Sequence, residues 1–131
     1  MNMVADTNIF LSVALNEPER SRIIGLTTDA SISAPEILPY EVGNALSAMI
    51  KRKKLTAVEA LEVYKAVSLV PVRLVSVDIQ VCLKIVGEHG VCAYDAYFLQ
   101  CARAYSLPLL TLDRRMKQVA EDIGIQVLEL E

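Results

Sequence analysis

Hydrophobic and polar positions follow two different periods along the chain. Short stretches that are apolar on successive or alternate residues run from Met3 to Ala5, Ser31 to Ala34, Val72 to Val77, Pro108 to Leu112 and Ile125 to Leu130. Their length and the turn residues that bound them predict strands. Between them, apolar residues recur every three or four positions. That spacing predicts helices over Asn8–Leu15, Glu19–Leu26, Glu36–Lys53, Ala57–Leu69, Ile79–Glu88, Asp95–Tyr105 and Arg114–Ile123. Pro18, Pro35, Pro71 and Pro108 interrupt the pattern, and Gly124 follows the last helix as a C-terminal residue. Strands that alternate with helices imply an α/β protein with a mostly parallel sheet of four to five strands covered on both faces. The stretch "LLTL" fits a strand buried on both faces, because it is apolar on neighbouring rather than alternate residues.

Composition narrows the class. With 131 residues, 53% hydrophobic and 22% charged, the chain is long enough for one domain, 1–131, around one core. No apolar run approaches the ~20 residues that span a bilayer, so no membrane association is expected. The start "MNMVADTN" has no basic region followed by an apolar core, and the expected location is cytoplasmic. Cys82, Cys92 and Cys101 are odd in number, form no C-x-x-C pair and have apolar neighbours, which reads as reduced core filler. In "LTAVEALEVYKAVSLV", Leu55, Val58, Leu61, Tyr64 and Val67 or Leu69 form a helical stripe. It is expected to pack on the core or the preceding helix, with a dimer or partner groove as the alternative.

Net charge is -3, which argues against a wholly basic nucleic-acid surface. The 13 basic residues are nevertheless uneven. Only Arg20 and Arg22 precede residue 51; then come "KRKK" and "DRRMK". Such clusters can hold phosphates, or, for "KRKK", simply favour a helix C-terminus.

Among the 16 acidic residues, four do not look like surface. Asp6 and Asp113 follow predicted strands, at the carboxyl edge where open α/β sheets bind ligands. Asp95 opens a helix and shares its inward stripe with Phe98, Leu99 and Ala102. Glu41 has Ile37, Asn44, Ala45 and Ala48 as helical neighbours, a face that is apolar or small. Each has a simpler reading: the three aspartates as helix N-caps, and Glu41 as an exposed residue beside Tyr40. Convergence on one cleft is what capping alone has no reason to produce. Two carboxylates ~6 Å apart at an effective dielectric of ~20 repel by roughly 3 kcal/mol, so a cluster must take up protons or a cation. Carboxylates without clustered His or thiolates point to a hard ion, Mg²⁺ or Mn²⁺. Such an ion suits phosphodiester hydrolysis. The lone His89, in "GEHG", reads as a turn residue.

The segments "VADTNIF", "PEILPYEVGNALSAMIKRKKL" and "AYDAYFLQCARAYSLPLLTLDRRM", in this order, resemble the PIN-domain ribonucleases, especially the VapC-type toxins of toxin–antitoxin pairs. The resemblance covers nearly the whole chain, and Y-D-A-x-Y before an apolar strand ending T-x-D is its most specific part. It implies a PIN-like α/β/α sandwich with a Rossmann-like sheet, in which Asp6, Glu41, Asp95 and Asp113 form a Mg²⁺- or Mn²⁺-dependent centre for RNA cleavage. It places Thr7, Asn8 and Thr111 in supporting positions that orient carboxylates or waters. It also implies a homodimer and a VapB-like antitoxin. Arg114 and Arg115, directly after Asp113, are the expected contacts to the RNA backbone. The alternative is a catalytically inactive PIN-like scaffold that binds RNA or protein.

Overall fold

The computed structural model describes residues 1–130. Its elements run β1 (Asn2–Ala5), α1 (Thr7–Ala14), α2 (Arg20–Thr27), β2 (Ser31–Pro35), α3 (Leu38–Lys51), α4 (Ala57–Ser68), β3 (Val72–Val75), α5 (Ile79–His89), α6 (Ala93–Ala104), β4 (Leu109–Leu110) and α7 (Arg114–Asp122). They form an α/β/α sandwich around a four-stranded parallel sheet of order β3-β2-β1-β4. Met3, Val4, Ala5, Leu109 and Leu110 have no exposed surface, as expected of central strands covered on both faces. On one side α1 packs with α2, α3 and α4; on the other α6 lies against β1 and β2 and carries α5 and α7.

Chain order steps from β1 to β2 to β3 in one direction and then jumps back to β4 on the far side of β1. The reversal lies between β1 and β4, so the crevice outside their carboxyl ends is the place where this architecture binds ligands. Register is set by pairing Val4 with Leu109 and Ala5 with Leu110. Asp6 and Thr111 therefore leave the sheet side by side.

Several expectations are corrected. The fifth strand, Ile125–Leu130, is reduced to a single parallel bridge between Val127 and Leu109, because β4 offers only two residues to pair with. Helix α3 starts at Leu38 rather than Glu36, with Pro39 in its first turn, where a missing N–H costs nothing. Helix α6 starts at Ala93, capped by the Cys92 sulfur, so Asp95 lies inside the first turn and is not the cap. Cys92 is accordingly exposed, whereas Cys82 and Cys101 are buried as expected. Burial comes first among the causes that raise the proton affinity of all three thiols, Cys101 to about 12, so none is poised as a nucleophile. In α4 the core face is Ala60, Val63 and Val67, while Val58 and Leu61 are 65% and 71% exposed. The expected stripe mixed two faces, because α4 rests on neighbours along one side only.

Candidate active site

Asp6 and Asp113 are both helix caps. Asp6 Oδ1 accepts from the Ile9 N–H at 3.3 Å and starts α1; Asp113 Oδ1 accepts from the Met116 N–H at 3.0 Å and starts α7. Capping and clustering are not alternatives here, since each cap also stands at the carboxyl end of a strand beside the order reversal. The hydroxyl of Thr111 links the two. Its Oγ1 donates to Asp6 Oδ2 at 2.5 Å and accepts from the Asp113 N–H at 3.1 Å.

Asp6 is only 6% exposed. Burial pushes its pKa from 3.8 up to about 6, against the lowering effect of Thr111 and the Ile9 N–H, and the charges of Asp95 and Asp113 push the same way. The Glu41 carboxyl is also raised, by burial first and then by Asp6 and Asp95, with Thr7 acting in the opposite sense. Asp95, half-buried, is raised by burial and by Asp113, with Cys92 opposing. Asp6 thus lies within electrostatic reach of Asp95, Asp113 and Glu41. Among the described residues none of them is paired with a lysine or arginine; the salt bridges join Glu88 to His89 and Glu129 to Lys117.

Two polar atoms here are buried and lack a hydrogen-bond partner: Glu41 Oε2 and Thr7 Oγ1. The two lie near each other, since the Thr7 hydroxyl lowers the Glu41 proton affinity, but they stop short of a formed hydrogen bond. Among the described residues no three Asp, Glu, His or Cys side chains stand close enough to grip one ion.

Asn8 is exposed and lines, with Asp113, an open groove of about 450 Å³ between α1 and α3. Arg114 and Arg115 are exposed, and the Arg115 guanidinium donates to the His89 carbonyl at the end of α5. Arg52, read from the sequence as part of a basic run that could hold phosphates or favour a helix end, lines the same groove as Asp113. A legible signal existed: Glu41, Ala45, Ala48 and Arg52 repeat at helical spacing and so share one face of α3. A larger apolar hollow of about 680 Å³ between α1, α2 and α4 contains none of the four acids.

The sequence pattern of the PIN domain matches residues 3–122. No curated protein sequence matches the chain significantly. Among solved structures, PAE2754 from Pyrobaculum aerophilum superposes with a TM-score of 0.69 at 21% identity, over 91% of this chain and 79% of that one. A toxin–antitoxin complex from Klebsiella pneumoniae gives 0.56 at 18% identity, over 85% and 86%. FitAcB from Neisseria gonorrhoeae gives 0.53 at 19% identity, over 98% and 97%. At these identities the structures share the fold, and the pattern over 3–122 carries the assignment: the chain belongs to the PIN-domain family.

Proposed function

We propose that this protein is a metal-dependent endoribonuclease and the toxin of a VapBC-type toxin–antitoxin pair. What supports the reading is the position of Asp6 and Asp113 at the carboxyl ends of β1 and β4, where the strand order reverses, with the charges of Asp95 and Asp113 acting on Asp6 and those of Asp6 and Asp95 on Glu41, and no basic side chain paired with any of them. Asp6, Asp95 and Asp113 would surround Mg²⁺ or Mn²⁺, one or two of them directly and the rest through the ion's own waters, and the oxygen-only donor set fits either. When bound, such an ion supplies Lewis acidity, which makes water a better nucleophile and neutralises charge on the leaving oxygen. Glu41, with its raised proton affinity, would accept the proton of the attacking water. Thr111 holds Asp6 and the Asp113 backbone in one arrangement, and Thr7 and Asn8 flank the acids. The likeness to a toxin–antitoxin complex supports an antitoxin partner, and we extend the reading to a homodimer of single-domain chains in the cytoplasm. No described helix is long and apolar enough to cross a membrane.

Metal dependence is the direct test. Mn²⁺ should bind the purified protein, raise its melting temperature and support cleavage of unstructured RNA, and EDTA should remove both effects. At a free ion concentration of 100 times Kd the gain in stability is about 2.7 kcal/mol. Asp113→Asn should lose Mn²⁺ binding by calorimetry. The separation of the carboxylates favours a second reading, a non-catalytic scaffold. Failure to bind Mn²⁺ together with retained RNA binding would establish it.

A further inference from the structure

Resting on the nuclease reading, we infer that the groove between α1 and α3 seats the RNA strand on one side of the scissile bond, with Arg52 holding a phosphate. The groove is bounded by two helical stripes, with Asp113 the one of the four acids that lines it. On α1, Asn8, Ser12 and Leu15 share a face; on α3, Ala45, Ala48 and Arg52 do, on the face that begins at Glu41 one turn before the groove. From Glu41 to Arg52 the helical rise is roughly 16 Å at 1.5 Å per residue. The alanines between them keep the channel open, where larger side chains would fill it.

Lining chemistry changes along the channel in the way a nucleotide requires. Asp113 and Asn8 stand at the acidic end, Leu15, Met49 and Leu112 supply apolar surface for a base, and Arg52 supplies a cation. Arg52 is exposed at the C-cap of α3, and its guanidinium makes no hydrogen bond or ion pair among the described residues. Arg115 is instead engaged with the His89 carbonyl. Lys51, Lys53 and Lys54 surround Arg52 and add positive potential at that end. One feature of the lining opposes phosphate: Glu17, which accepts from the buried Ser12 hydroxyl at 3.5 Å. Arg52 and Glu17 should therefore act on RNA affinity in opposite directions. A merely structural groove gives no reason for that.

The test measures binding of a fluorescein-labelled single-stranded oligoribonucleotide by anisotropy in Mg²⁺, in an Asp6→Asn background that leaves the RNA intact. Adding Arg52→Ala should weaken binding roughly tenfold and make the log–log salt slope shallower by about 0.7, the value for one phosphate contact on a single strand. Arg52→Lys should restore the slope and most of the affinity. Glu17→Gln should tighten binding, and Lys84→Ala, on the remote surface of α5, should change nothing. Unchanged affinity and slope in Arg52→Ala would overturn the groove assignment, as would a Glu17→Gln protein that binds no tighter or an Asp6→Asn protein that binds no RNA. Cleavage by the wild type with Mn²⁺ decides the nuclease reading separately: a wild type that cleaves, with an Arg52→Ala variant of unaltered KM, removes the groove and leaves the nuclease.

Discussion

Asp6→Asn is expected to lose RNA cleavage to the level of the EDTA control and, in the same protein, to gain stability. The first effect follows from removing a central carboxylate of the proposed ion site. The second follows from burial. The rise of the Asp6 pKa from 3.8 to about 6 means that its ionised form costs the native state roughly 3 kcal/mol at neutral pH. Asparagine keeps the shape and can still accept from the Ile9 N–H, without the charge. In EDTA at pH 7 its melting temperature should stand roughly 10 °C above wild type. A variant that cleaves normally removes Asp6 from the chemistry. One that is less stable shows that the Thr111 and Ile9 bonds to the carboxylate outweigh its desolvation.

The same pKa makes a pH signature. Between about pH 4 and 6 the native protein binds more protons at Asp6 than the unfolded chain does, so this group's penalty disappears as pH falls through that window. Metal-free wild type should become more stable, in urea melts, on going from pH 7 to pH 5. Asp6→Asn should lack that gain.

Phe98→Ala is the substitution expected to damage the fold most. Phe98 is 1% exposed and one of the largest side chains in the core. Emptying such a site costs about 3–5 kcal/mol, a large part of the 5–15 kcal/mol typical of a domain. Phe98 lies on the inward face of α6, one turn beyond Asp95, and α6 is the helix laid on β1 and β2. Loosening it should also move Asp95, so Mn²⁺ affinity should fall even at temperatures where the variant remains folded. Urea melts and Mn²⁺ titration read the two effects. Unchanged affinity in the folded variant would show that α6 is held in place by Leu99 and the helix ends instead.

Much of this architecture was legible because single elements carry strong local signals. The run into Asp6 and the run into Asp113 announce strands that stop at an acid, and the inward stripe of α6 carries Asp95 in view of any helical reading. The start of α6 was not legible, since cysteine is an uncommon cap and its sulfur contact to the Asp95 N–H has no pattern in sequence. Neither was strand order: parallel neighbours are chosen by how the crossovers pack, and β4 could have joined either edge. The face of α4 was misread because apolar residues lie on both its sides, and only the positions of α1 and α3 decide which is covered. At the candidate site, the acids stood out by contrast with their neighbours. The hydroxyl that joins two of them acts across 105 positions of chain, a relation no local pattern encodes.

That hydroxyl also explains how a strand of two residues keeps its alignment. A ladder as brief as β4, with the Val4 N–H bonded to Pro108 and the Asp6 N–H to Leu110, offers little to oppose slippage along β1. A shift by one position would bring a leucine opposite Asp6 and turn every side chain to the wrong face. Thr111 forbids it, because one oxygen must satisfy a carboxylate in front and an amide behind. The threonine works as a latch, so the alignment of the two strands beside the acids is set by a side chain where backbone pairing is too sparse to set it.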